Sequence, residues 1–141
     1  MSLRFLLDTN ILSEPVRPSP DSGVMEKIER FSVELSTAAP VWNELLYGCY
    51  RLPPSARRRT LESYLMDVLE PSLPVLPYDQ RAARWHAAER ARLGREGKTP
   101  AFVDGQIAAI AWVRELVLVT RNVSDYAHFE GLVVEDWARP S

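Results

Sequence analysis

The chain has a single cysteine, Cys49, so it can form no internal disulfide and offers no thiol cluster for zinc. Cys49 itself reads as a small apolar residue on a buried helix face. Only two histidines are present, His86 and His128, and they lack the short spacing of paired metal ligands. No apolar run approaches the roughly 18 residues that a membrane span requires. The opening Met1-Ser2-Leu3-Arg4 lacks the layout of a signal peptide, so the expected location is the cytoplasm, with no membrane partner. A glycine-rich phosphate loop is missing, which argues against a nucleoside-triphosphate enzyme. Net charge is also low, at −2, and this excludes a protein that coats nucleic acid by bulk attraction. Lysine is scarce (Lys27 and Lys98), and most of the 17 basic residues are arginine. That bias suits phosphate contacts. It follows equally from GC-rich coding, with no functional meaning.

What is present is ordinary for one globular domain, expected to span residues 1–141: 46% hydrophobic and 26% charged. Short apolar runs alternate with helical patterns. Leu3–Leu7, Val33–Ser36, Leu73–Leu76, Leu116–Thr120 and Leu132–Val134 read as strands. The third lies between prolines, which suits a sheet edge. Helices are expected near Ile11–Val16, Val24–Phe31, Val41–Arg51, Ala56–Leu69, Gln80–Arg95 and from Thr99 to about Glu115. Asp21 or Ser22 is a candidate cap for the second. This alternation predicts an α/β fold, a three-layer α/β/α sandwich around a mainly parallel sheet of four to five strands.

In such sheets ligands gather beyond the carboxyl ends of the strands. Asp8 stands at one such end, where metal binding and helix capping are equally reasonable roles. Glu44 lies in the first turns of its helix, and alone it is an unremarkable surface acid. Asp104 says more. It shares a helix face with Ile107, Ala108 and Ala111, where a carboxylate costs stability unless paired or liganded. Gly105 beside it permits a close approach. Asn122 and Asp125 follow the Leu116–Thr120 strand, spaced to share one side of a helical turn, although a polar turn accounts for them as well. Oxygen donors without His or Cys select a hard cation, Mg²⁺ or Mn²⁺, and that pairing suits phosphodiester hydrolysis. Crowded acids also repel one another, so one should have a raised pKa in the absence of metal.

These stretches resemble the PIN-domain family, and within it the VapC/FitB-type toxins. The opening Leu6-Leu7-Asp8-Thr9-Asn10-Ile11-Leu12-Ser13-Glu14-Pro15 is similar to the first family motif. Glu44 within Val41–Gly48 matches the second, Asp104 within Asp104–Ala109 the third, and Leu118–Tyr126 the fourth. The motifs run in order over nearly the whole chain. The resemblance implies a Mg²⁺-dependent endoribonuclease toxin of a toxin–antitoxin system, with Asp8, Glu44 and Asp104 catalytic and RNA as substrate. It also implies a homodimer and a VapB/FitA-like antitoxin that covers the acidic site and brings the DNA-binding part. The resemblance makes Asn122 and Asp125 the candidates for the further metal ligand, either of which would complete the site; some family members carry aspartate at the position of Asn122. Thr9, Asn10 and Arg121 are expected to contact substrate. The competing readings are a binding module that lost catalysis through Asn122, and another Mg²⁺-dependent phosphohydrolase. A phosphatase using Asp8 as covalent nucleophile would need an aspartate where Asn10 stands.

Overall fold

The computed structural model describes residues 2–140. Five short strands form one sheet: β1 (Phe5–Leu7), β2 (Leu35–Ala38), β3 (Val75–Leu76), β4 (Val117–Val119) and β5 (Val134–Glu135). Their spatial order is β3-β2-β1-β4-β5, and every pairing is parallel. The sheet is therefore wholly rather than mainly parallel, with five strands. The central strand shows why helices must flank it. Phe5, Leu6 and Leu7 are consecutive and all buried, so both faces of β1 are covered. The helices are α1 (Thr9–Leu12), α2 (Ser22–Arg30), α3 (Ala39–Tyr50), α4 (Ala56–Ser63), α5 (Glu70–Ser72), α6 (Gln80–Arg95) and α7 (Phe102–Val113). This is the three-layer α/β/α arrangement expected, and none of these helices is long and apolar enough to cross a membrane.

Two local differences from the sequence reading have physical causes, and a third is a shift of bounds. β2 begins two residues later than Val33, which is solvent-exposed; the buried run is Leu35–Ala38. Two of its residues are polar, but each is satisfied across the sheet. Ser36 Oγ donates to the Phe5 carbonyl at 2.9 Å and Thr37 Oγ1 to the Leu7 carbonyl at 2.8 Å. The helix expected over Ala56–Leu69 opens into a wide π turn at Tyr64–Leu69. There Tyr64 reaches across to donate to the Leu12 carbonyl at 2.6 Å. The last strand is Val134–Glu135 rather than Leu132–Val134. By contrast, α6 runs over Gln80–Arg95 as expected, capped by Asp79, and Asp21 caps α2 through Gly23 and Val24. β3 is an edge strand, as its flanking prolines require.

From β1 the chain proceeds to β2 on one side, while β4 returns on the other. The order of strands thus reverses at β1, and the carboxyl ends of β1 and β4 open a crevice there. Asp8 and Thr120 are the first residues beyond these two strands.

Candidate metal-binding active site

Asp8 is held from three directions. Its Oδ1 caps α1 by accepting from the Thr9 amide at 2.8 Å. Its Oδ2 accepts from Thr120 Oγ1 at 2.9 Å and from the Tyr126 hydroxyl at 3.3 Å. Capping and site-building are therefore compatible, because one oxygen serves each. Thr120, fully buried, is a hub: the same hydroxyl oxygen accepts from Asn10 Nδ2 at 3.3 Å and from the Asn122 amide at 3.1 Å. It locks the turn after β4 onto the turn after β1.

Glu44 is exposed on α3, and its Oε2 accepts from Thr9 Oγ1 at 2.9 Å. Asp104 lies in the first turn of α7, half-buried, with Ile107, Ala108 and Ala111 fully packed beneath it. Its carboxyl is pushed up to about 6, first by burial and then by the negative charges of Asp125, Asp8 and Glu44; a hydrogen bond from Tyr126 works against the rise. Four acids contributed by four chain segments thus share one electrostatic field. Tyr126 itself, buried beside Asp8 and Asp104, has its phenol driven far above the usual range by burial and by those charges. It stays a proton donor at any working pH.

Each residue expected to contact substrate also has a partner within the chain. Thr9 faces Glu44, while Asn10 acts as a brace, donating to Thr120 and accepting from the Arg121 amide at 3.0 Å. The Arg121 guanidinium is engaged by the buried Glu14 at 3.4 Å. Asn122 is exposed, and its carbonyl accepts from the Asp125 amide at 3.0 Å. Of these two residues it is Asp125 whose charge presses on Asp104, ahead of Asp8 and Glu44.

Sequence reasoning gave no role to Thr120, Tyr126 or His86. A hydroxyl ending an apolar strand, and an aromatic with a polar tip one residue past Asp125, were the available signals. His86 explains Gly105. The imidazole packs so closely on α7 that a Cβ at Gly105 would overlap the ring. Burial, helped by Arg90, holds His86 below its ordinary pKa. Its Nδ1 meets the Tyr78 hydroxyl at 2.8 Å, and Nε2 has no protein partner among the described residues. The close approach foreseen at Gly105 is thus that of a neighbouring side chain.

The donors fit a hard divalent cation by chemistry: all are oxygens, and their shared repulsion is what a cation relieves. They are not drawn together as a finished coordination sphere, since among the described residues no three His, Cys, Asp or Glu side chains are disposed to hold a metal.

A family model described as PIN domain matches residues 5–128. The chain is 30% identical over 136 residues to the tRNA(fMet)-specific endonuclease VapC of Salmonella typhimurium, covering 96% of this chain and 98% of that protein. It is also 30% identical over 135 residues to toxin FitB of Neisseria gonorrhoeae, covering 94% and 97% respectively. Among solved structures, a chain of FitAB bound to a DNA fragment superposes with a TM-score of 0.88 at 27% identity, over 97% of this chain and 98% of that one.

Proposed function

The chain belongs to the PIN-domain family, and from that premise we propose that it is a Mg²⁺-dependent endoribonuclease acting as the toxin of a toxin–antitoxin pair. The observation that carries this reading is the convergence of Asp8, Glu44, Asp104 and Asp125 from four chain segments, with no basic side chain among the charged groups that act on Asp104. A protein gains nothing in stability from such a cluster, whereas a site for a divalent cation requires one.

In this reading Asp8, Glu44, Asp104 and Asp125 hold the cation, with Asn122 at the rim. Mg²⁺ (or Mn²⁺), when bound, supplies positive charge for the phosphate oxygens and makes water a better nucleophile. The chain's own groups do the rest. Thr120 and Tyr126 fix the Asp8 carboxylate, so that it need not be ordered during the reaction. Thr9 does the same for Glu44, which is exposed and free to orient a water. One face of Arg121 neutralises Glu14, and the exposed remainder meets a phosphate.

The name of the Salmonella typhimurium relative makes initiator tRNA the first substrate to try. An antitoxin partner, DNA contact through that antitoxin alone, a homodimer and a cytoplasmic setting complete the proposal; the likeness to FitAB bound to DNA supports the antitoxin. Wild-type protein should cleave in Mg²⁺ and stop in chelator, and Asp8→Asn and Asp104→Asn should each lose cleavage. Full cleavage by both variants would overturn the reading. Wild-type protein that leaves RNA intact, yet binds a partner tightly, would favour a binding module.

A further inference from the structure

The acidic centre would repel the polyanion it is proposed to cut, and Arg121 is already engaged by Glu14. The exposed part of Arg121 alone cannot offset that charge, and two cavities with no lining residue in common adjoin the centre. One, of about 520 Å³, is lined by Thr9 and Glu44 together with Arg17 and Arg57. The other, of about 380 Å³, is lined by Asp104 and Asp125 together with Lys98, Thr99 and His128. Asp8 is linked to both: it accepts from the Thr9 amide, and through Tyr126 it is tied to the turn bearing Asp125. Arg57 and Lys98 take part in none of the ion pairs formed among the described residues. Arg17 is about half exposed and lies 3.5 Å from Glu14.

The geometry points to a two-sided track for single-stranded RNA. Arg57, with Arg17 in the same cavity, takes the backbone phosphates on one side of the carboxylates, and Lys98 takes those on the other. This rests on the nuclease reading for its substrate class. It adds that the chain grips RNA on both sides of the scissile bond, through one unpaired cation in each cavity. Lysine is otherwise nearly absent from the sequence, and Lys27, the other one, lies on α2.

The test is binding of a labelled, mixed-sequence single-stranded RNA to the Asp8→Asn chain in Mg²⁺, followed by fluorescence anisotropy over a range of salt concentrations. Each phosphate contact on a single strand contributes about 0.7 to the slope of log affinity against log salt. Lys98→Ala and Arg57→Ala should each reduce the slope by about that amount and weaken binding several-fold, and the double variant should lose twice as much. Lys98→Arg and Arg57→Lys should keep the wild-type slope, and Arg30→Ala, at the end of α2, should leave it unchanged. Trimming the RNA from one end should abolish sensitivity to only one of the two alanine substitutions. Unchanged slopes for Lys98→Ala and Arg57→Ala would overturn the track, and so would an equal effect from Arg30→Ala. If those two variants keep RNA affinity but lose affinity for an antitoxin, the cavities serve a protein segment and the track is wrong. Because the readout is binding, wild-type protein that binds with these slopes yet never cleaves would contradict the nuclease reading alone.

Discussion

Glu89 on α6 and Asp104 on α7 sit on helices packed against each other, and both carboxylates are partly withdrawn from water, yet the fold treats them in opposite ways. Glu89 accepts from Arg92 at 2.8 and 2.9 Å in a two-pronged pair and from the Glu130 amide at 2.8 Å. Those bonds hold it below the usual glutamate range, Arg92 contributing most. The charged groups that act on Asp104 are all acids, and with burial they push it up to about 6. Where the chain needs only stability it supplies a counter-charge from its own residues. Where it leaves a carboxylate without one, the counter-charge has to come from outside. The buried Glu14, matched by Arg17 and Arg121, belongs with Glu89.

The sharpest way to break this contrast is to neutralise Asp104 itself and then to remove the partner of Glu89. Asp104→Asn should cut RNA cleavage by more than the roughly 100-fold that loss of a supporting partner brings to a metal site. It should also raise the melting temperature of the metal-free protein at neutral pH. The sign follows from the raised carboxyl: stability tied to Asp104 is complete below its ordinary 3.8 and is lost as pH climbs through about 6, a loss that asparagine escapes. The difference in melting temperature between the two proteins should therefore open across that window and narrow when Mg²⁺ is added. Arg92→Ala should do the reverse. It should lower the melting temperature by several degrees while cleavage survives. Glu89 has a depressed pKa, so its contribution is present above the ordinary 4.5 and lost as pH falls through the lower folded value; the gap between wild type and variant should close in acid.

A smaller effect is expected from Tyr126→Phe. It removes a bond to Asp8 and one that restrains Asp104, so cleavage should fall by roughly tenfold. The acid limb of the pH–rate profile should move to higher pH. Smallest of all, Asn122→Asp should tighten Mg²⁺ binding only a few-fold by calorimetry, because Asp125 already presses on Asp104.

The parts of the fold readable from sequence were those governed by local rules. The Gln80–Arg95 helix has a cap, a charged outer face and a clear end, and β1 is a plain apolar run stopped by an acid. The misplaced pieces depended on partners distant in the chain. Ser36 and Thr37 look too polar for a central strand until the Phe5 and Leu7 carbonyls are in place to receive them. The π turn at Tyr64 coincides with a bond to Leu12, 52 residues away. The site divides in the same way. Asp104 stood out as a charge on an apolar helix face, and Asp8 as an acid at a strand end open equally to capping and to metal binding. Thr120 and Tyr126 could not, because their roles arise only when β4 lies against β1 and two turns share one hydroxyl. Arg121, chosen for its place beside a motif, turned toward Glu14, an acid whose burial the sequence did not signal.

The central claim is that the acidic cluster lacks its own cation and is completed by a divalent one. It is tested most directly by titrating the Asp104 side-chain carboxyl by carbon-detected NMR, first in chelator and then with Mg²⁺. The account predicts a midpoint near 6 without metal, falling well below the ordinary 3.8 once Mg²⁺ is bound. A midpoint already at 3.8 in chelator, indifferent to Mg²⁺, would contradict it.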